Sequence, residues 1–233
     1  MICSIQQPNY IPWLGLFDKL ANVDVHIFYD NAQYISNTII NRNKIRSKDG
    51  WIYLTVPVSL KFPARITEVK IVDQHWRKTH WKSIEANYSR APYFKDYKDV
   101  IKQIYDKEWT SLAELNMTII ETISRLLGIK CRFVRASEIL PDMKIKSTEA
   151  LIELCQAVKA DCYFSGADGI KYMNLDLFKK NSIGVKFQKY VHPTYKQVFP
   201  EFEQGMCIID LLCNEGPQSL KILKTTQLES NKG

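Results

Sequence analysis

The sequence predicts an α/β protein with three layers, in which helices cover a mostly parallel, Rossmann-like sheet. One observation is an opening strand, helix and strand within residues 1–29. A second is the alternation of helices and strands over residues 129–188, which favours parallel pairing because parallel strands need a crossover between them. A third is a long helical pattern at residues 76–127, which we expect to pack on the sheet or to be inserted in it.

The elements of the first part follow from apolar periodicity. We predict strands at residues 1–5, 23–29, 51–58 and 66–72, and a helix at residues 12–21. Pro12 suits the first turn of that helix. Residues 51–58 place alternate side chains on two faces, and we expect residues 66–72 to pair with them.

The later elements are marked by capping residues and glycines. Ser111 begins a capping box for the last helix of the 76–127 region, and Gly128 ends that helix. Ser147 is expected to cap a further helix that runs through residue 158. We also predict strands at residues 132–135, 161–165 and 185–188, a helix through residue 178, and a helix at residues 207–213 that ends near Gly216. The prediction is one α/β domain at residues 1–227, followed by a polar, frayed tail at residues 228–233.

The composition limits the classes of protein. The chain has 233 residues, 45% of them hydrophobic and 24% charged, which is typical of a globular protein. Its six cysteines form no C-x-x-C pair, so buried free thiols are expected and no metal site is predicted. We expect a cytoplasmic protein, because the chain has neither a transmembrane run nor a basic signal region. The net charge of +7 suits a polyanion: a nucleic acid, an acidic membrane surface or a phosphorylated metabolite. No nucleic-acid motif is present, so no nucleic-acid partner is predicted.

Polar residues follow several predicted strands, where the carboxyl ends of parallel strands form a ligand crevice. We expect residues 6–13, 30–34, 41–46 and 165–169 to converge there. The predicted substrate-binding residues are Gln7, Asn9, Tyr10, Trp13, Gln33, Asn41, Arg42, Asn43, Lys44, Ser165 and Tyr195. Arg42 and Lys44 could hold phosphates, since guanidinium and ammonium groups pair with them. A solvated basic loop is the alternative for residues 41–46.

Three histidines are candidates for a general base, because imidazole titrates near neutral pH. The predicted catalytic residues are His80, placed first, then His75 and His192, with Asp30 at a strand end. His75 and His80 are five residues apart, about 140° around a helix, which does not match a helical zinc pair. Core packing or helix capping is the alternative for each histidine. We expect His80 and Arg42 to line one pocket.

Motifs along nearly the whole chain resemble the WbqC-like protein family. They include Gln7-Pro8-Asn9-Tyr10, Asp30-x-x-Gln33-Tyr34, Asn41-Arg42-Asn43, His80-Trp81-Lys82, Ala91-Pro92-Tyr93-Phe94, Ser165-Gly166, His192-Pro193-x-Tyr195-x-Gln197 and Asp210-Leu211-Leu212. The resemblance implies a role in bacterial surface-polysaccharide biosynthesis, such as that of the O-antigen of lipopolysaccharide. The family usually has a histidine where this chain has Gln6, so we place no catalytic role there.

These observations lead us to expect a transferase that modifies a nucleotide-linked sugar, by acyl or aminoacyl transfer to a sugar amine. His80 would be the base, while Asn41, Asn43 or Gln7 would donate hydrogen bonds to the developing oxyanion. The alternatives are an ATP-dependent carboxylate-amine ligase and a non-catalytic protein that binds nucleotide sugars. No cofactor is predicted, although an acyl donor and ATP are both left open. The oligomeric state is also open, a homodimer included.

Overall fold

The computed structural model describes residues 1–141 and 148–224. Its strands are β1 (Ile2–Gln6), β2 (Val25–Phe28), β3 (Arg42–Ser47), β4 (Gly50–Thr55), β5 (Val58–Ser59), β6 (Lys70–Ile71), β7 (Arg132–Arg135), β8 (Cys162–Ser165) and β9 (Gly184–Phe187). Its α-helices are α1 (Leu14–Leu20), α2 (His75–Tyr88), α3 (Phe94–Asp106), α4 (Leu112–Leu126), α5 (Ala136–Ile139), α6 (Thr148–Ala157), α7 (Leu175–Lys180), α8 (Ile208–Glu215) and α9 (Ser219–Leu223).

Five parallel strands form the central sheet, in the order β7-β2-β1-β8-β9. The chain builds outward from β1 through β2 to β7, then returns to the other side of β1 with β8 and β9. The strand order therefore reverses between β1 and β8, and the carboxyl ends of these two strands border a crevice. The predicted Rossmann-like α/β fold is confirmed.

The two faces of the sheet pack into separate cores, because successive side chains of a strand point to opposite faces. Cys3 and Ile5 of β1 face a core that also contains Leu154 of α6 and Phe178 of α7. Residues of α1 and α8 belong to a larger core, together with apolar residues of α2, α3 and α4. All six cysteines are free, and four of them are buried as expected, whereas Cys131 and Cys162 are partly exposed. No helix of the described residues is long and apolar enough to cross a bilayer.

The helical region at residues 76–127 is confirmed as α2, α3 and α4. Ser111 caps α4, since its side-chain oxygen accepts a hydrogen bond from the Glu114 N–H at 3.4 Å. Gly128 follows the helix with φ +73°, a conformation that glycine adopts without a steric penalty. Both sequence signals therefore act where they were expected.

The antiparallel elements differ from the prediction. Residues 41–46, expected to be a loop, fall largely on β3, which pairs with β4 in the register Lys44↔Tyr53. The charged residues on one face concealed the strand, whose other face buries Asn43 and Ile45. The run predicted as one strand at residues 51–58 is divided between β4 and β5. Only β5 pairs with the 66–72 region, through Val58↔Ile71.

The remaining differences concern helix boundaries. Helix α1 begins at Leu14, so Pro12 precedes it. The helix predicted through residue 178 is a short 3₁₀ turn, Ala167–Lys171, followed by α7. The predicted Ser147 cap and the tail at residues 228–233 lie outside the described residues.

Candidate functional site

A cavity of about 560 Å³ lies at the carboxyl edge of the sheet, beside the ends of β1 and β8. This volume falls in the range of small-molecule sites, and the position is where open α/β sheets bind ligands. The lining residues are Ile5, Gln6, Gln7, Trp13, Lys19, Tyr29, Leu151, Tyr163, Ser165, Gly166, Ala167, Asp168, Gly169, Tyr172, Gln188 and Tyr190.

Lys19 is a buried cation in the wall of this cavity. It lies near the end of α1 with 5% of its surface exposed, and its Nζ donates to Gln6 Oε1 at 2.8 Å. Burial lowers the pKa of Lys19 to about 8, although the nearby Asp18 carboxylate opposes this change. At pH 7 roughly one molecule in ten would carry the neutral amine. Lys19 can therefore both accept and donate a proton near neutral pH.

Asp18 and Gln188 hold α1 against the segment after β9. Gln188 Nε2 donates to Asp18 Oδ2 at 2.7 Å and to the Gly15 carbonyl at 2.8 Å. Asp18 is fully buried, so the neighbouring Lys19 provides compensating positive charge. This arrangement fixes the direction from which Lys19 enters the cavity.

Two aromatic rings form another wall. Trp13 and Tyr190 pack edge to face, with ring centroids 5.2 Å apart. The Tyr190 hydroxyl is buried and has no hydrogen-bond partner within residues 1–141 and 148–224. Burial and the Asp18 carboxylate raise the pKa of Tyr190, so this hydroxyl stays protonated. Tyr190 therefore meets the cavity with its ring and not with its hydroxyl.

The turn after β8 closes the cavity against Lys19. A Cβ atom on Gly166 would lie 3.6 Å from Lys19 Nζ, which is an ordinary contact. A Cβ atom on Gly169 would overlap the Ser165 hydroxyl and approach Met173 Cε to 2.9 Å. Glycine at residue 169 therefore permits the close turn that positions Ser165.

The structure brings some of the predicted binding residues to the cavity. Gln7, Trp13 and Ser165 line it, while Gln33 lies next to it, since Gln7 Nε2 is 3.5 Å from the Gln33 carbonyl. Residues 6–13 and 165–169 thus converge as expected, whereas residues 30–34 and 41–46 contribute none of the lining.

Other predicted binding residues make internal contacts. Asn41 donates to the Val56 carbonyl at 3.2 Å, and Asn43 donates to the Ile11 carbonyl at 2.8 Å. The Tyr195 hydroxyl donates to buried Asp210 at 2.7 Å. Asn9, Arg42 and Lys44 also lie outside the cavity lining. Asn9 is buried. The Arg42 guanidinium lies over the Tyr53 ring, and the Lys44 ammonium lies over the Trp51 ring.

His80 lies in a buried hydrogen-bond chain. Its Nδ1 is 2.7 Å from the Tyr10 hydroxyl, which is 3.0 Å from the Tyr105 hydroxyl. Burial lowers the pKa of His80 to about 4, although a backbone hydrogen bond with Thr55 opposes this change. The ring is therefore neutral at pH 7, with Nδ1 free to accept from Tyr10. Neither His80 nor Arg42 lines the cavity, so the two residues do not meet there.

The other catalytic candidates are also outside the cavity lining. His75 is exposed at the start of α2. His192 follows β9, and its Nδ1 contacts the Pro193 carbonyl at 2.9 Å. Asp30 is buried and accepts hydrogen bonds from the N–H and hydroxyl of Ser137, at 2.9 and 2.6 Å. Asp30 thereby holds the start of α5.

Sequence reasoning missed Lys19, Gln188 and Tyr190. A usable signal was present in α1, where Asp18 and Lys19 are the charged residues of an otherwise apolar helix. Charged residues on such a helix are rarely fully buried unless they are paired.

Within the part of the chain that the structure describes, no group of three His, Cys, Asp or Glu side chains is placed to hold a metal ion.

Fold and site together define an α/β protein with a small-molecule cavity where the strand order reverses. The chain belongs to the WbqC-like protein family, whose model matches residues 7–222. It is also 38% identical to Uncharacterized protein Rv1507c of Mycobacterium tuberculosis (strain ATCC 25618 / H37Rv). That similarity extends over 226 residues, which are 95% of this chain and 96% of the relative. Lys19, Ser165, Gln188 and Tyr190 all lie within the range that the family model matches.

Proposed function

We propose that this chain is a transferase that modifies a nucleotide-linked sugar in the cavity between β1 and β8, by acyl or aminoacyl transfer to a sugar amine. The family resemblance supports a setting in bacterial surface-polysaccharide biosynthesis. The observation that carries the proposal is Lys19, a buried amine in the cavity wall with its pKa lowered to about 8. His80 does not line the cavity, so the base in this proposal is Lys19.

The proposed reaction begins with the sugar amine beside Lys19. As the amine nitrogen attacks the acyl carbonyl, the neutral Lys19 amine accepts a proton from it. The carbonyl oxygen then bears negative charge, which the Gln7 amide can stabilise as a hydrogen-bond donor. The tetrahedral intermediate collapses to the amide, and the Lys19 ammonium returns the proton to the leaving group.

The cavity wall suits this kind of substrate. The Trp13 and Tyr190 rings offer apolar faces and edges against which a sugar or a base can pack. The amides of Gln6 and Gln7 can bond hydroxyl groups, as amides both donate and accept.

A thermal-shift screen followed by a turnover assay tests the proposal. The screen uses uridine- and thymidine-diphosphate sugars with and without an amine, on the wild type, Lys19→Met and Lys130→Met. Lys130 is an exposed lysine just before β7, at the opposite edge of the sheet, so Lys130→Met is the matched control. A ligand at 100 times its dissociation constant should stabilise the wild type by about 2.7 kcal/mol.

We expect an amino sugar to stabilise the wild type and Lys130→Met and to be acylated by both. Lys19→Met should lose turnover by roughly 10²–10⁴-fold, the usual contribution of a general base. Product formation that requires ATP would instead establish the carboxylate-amine ligase. Stabilisation without turnover on any acyl donor would establish a binding protein, and either result would overturn the transferase.

A further inference from the structure

Positive charge is concentrated in one part of the chain. Residues 31–67 contain six lysines and arginines but a single carboxylate, Asp49, which gives a surplus of five. Arg46 is buried and donates to backbone carbonyls, so the other five cations are the ones that a partner can reach. The whole chain has a net charge of +7, so this segment accounts for most of it. Lys61 and Arg65 are exposed, and the ammonium-bearing side chain of Lys48 is 79% exposed.

Exposed apolar side chains are concentrated in the same segment. Phe62 is 74% exposed and Ile35 is 58% exposed, values that are high for large apolar side chains. Further exposed apolar residues of the segment are Ile39, Trp51, Ile52 and Tyr53. Lys44 Nζ stands 3.7 Å from the centroid of Trp51, so cationic and aromatic groups are interleaved.

Backbone hydrogen bonds bring the chain segments that carry these residues side by side, and we call residues 33–65 the basic lip. Trp51 and Tyr53 share one face of β4 with the Lys44 side of β3, whereas Ile52 lies on the other face. The Tyr34 N–H donates to the Ala64 carbonyl at 2.9 Å, which brings the chain around Ile35 beside the chain around Phe62. The Val56 N–H donates to the Asn41 carbonyl at 2.9 Å and continues the β3–β4 ladder toward Ile39.

The basic lip borders the candidate cavity. The Gln7 side chain, which lines the cavity, is 3.5 Å from the Gln33 carbonyl. On the other side, the Cys207 N–H donates to the Lys44 carbonyl at 3.0 Å, and Cys207 bridges to Trp13. The lip therefore contacts the wall of the cavity at Gln7.

We infer that the basic lip docks on an anionic lipid surface. Lysine and arginine side chains are attracted to anionic headgroups, while apolar side chains gain by entering the boundary between headgroups and acyl chains. Tryptophan and tyrosine are enriched at that same depth. A nucleic acid would pair with the cations but would leave the Ile35 and Phe62 side chains in water. Because these apolar side chains are exposed, a lipid surface fits the lip better than a nucleic acid does.

Vesicle co-sedimentation with the full chain tests this inference, which is independent of the proposed reaction. The probes are vesicles of phosphatidylglycerol mixed with phosphatidylcholine, and vesicles of phosphatidylcholine alone. Ile35→Ser is the test variant, and Ile170→Ser, outside the lip, is its control, because both isoleucines are 58% exposed. Lys61→Gln is paired with Lys95→Gln, an exposed lysine on α3. Melting temperatures confirm that each variant is folded.

We expect the wild type to bind the anionic vesicles and to be released by salt. Lys61→Gln should weaken binding about fivefold, and Ile35→Ser should weaken it by roughly the same factor. Ile170→Ser and Lys95→Gln should bind as the wild type does. The inference is overturned if the wild type stays in solution, or if the lip variants bind no more weakly than their controls. Binding to a single-stranded oligonucleotide that Lys61→Gln weakens and Ile35→Ser does not, without binding to vesicles, would also overturn it.

Discussion

The buried chain formed by His80, Tyr10 and Tyr105 provides a sharp test of whether His80 is structural. His80→Ala removes a side chain that is 5% exposed and leaves the Tyr10 hydroxyl without its acceptor at 2.7 Å. It also removes the partner of the Thr55 backbone. An unsatisfied buried polar group costs about 1–3 kcal/mol, and the space left by the ring adds to this cost.

We therefore expect His80→Ala to lower the free energy of unfolding by about 3–5 kcal/mol. For a chain of this size, such a loss lowers the melting temperature by roughly 10 °C. Thermal and urea unfolding measure the change. His75→Ala is the control, because His75 is exposed on the same helix and its loss should cost at most about 0.5 kcal/mol.

Turnover by the folded protein distinguishes the two roles. If His80 acts only through the fold, His80→Ala assayed well below its melting temperature should retain the turnover of the wild type. A His80→Ala protein with unchanged stability and a turnover reduced by 10²-fold or more would refute this reasoning. It would return His80 to the role of base that its sequence context suggested.

Three further outcomes follow from the same contacts. Burial lowers the pKa of His80 to about 4 from about 6.5, so the unfolded state binds the proton more tightly. His80 should contribute about 3 kcal/mol to the loss of stability as the pH drops from 7 to 4, and denaturant titrations of His80→Gln should lack this contribution. If Lys19 is the base, a pH–rate profile should show the acylation rate rising about tenfold per pH unit below pH 8 and levelling off above it. Gly169→Ala should lower the free energy of unfolding by about 1–3 kcal/mol, because the added Cβ would overlap the Ser165 hydroxyl. Gly184→Ala is the control, because its Cβ would make only ordinary contacts, and thermal unfolding compares the two variants.

The parallel sheet could be predicted because its strands carry the signals that such sheets need. Short apolar runs, such as the one around Ile27 on β2, alternate with amphipathic helices and imply crossovers. The helix α4 was equally clear, since its cap at Ser111 and its end at Gly128 are local features. These signals act within a few residues of where they lie in the sequence.

The antiparallel part and half of the candidate site could not be predicted in this way. Strand β3 reads as a basic loop, because Arg42, Lys44 and Arg46 place three cations at alternate positions. The charged side chains cover one face of the hairpin, and the sequence pattern of its partner strand, β4, predicts pairing with residues 66–72 instead. The contact between Lys19 and Gln6 depends on how α1 packs against β1, which sequence periodicity does not specify.

The most direct test of the central claim is the structure of this protein with the amino sugar nucleotide that stabilises it most. We expect the ligand to fill the cavity between β1 and β8, with its amine about 3 Å from Lys19 Nζ. Part of the ligand should pack against the rings of Trp13 and Tyr190. A ligand bound against His80 or on the basic lip, with the cavity left empty, would show that the cavity is not the substrate site.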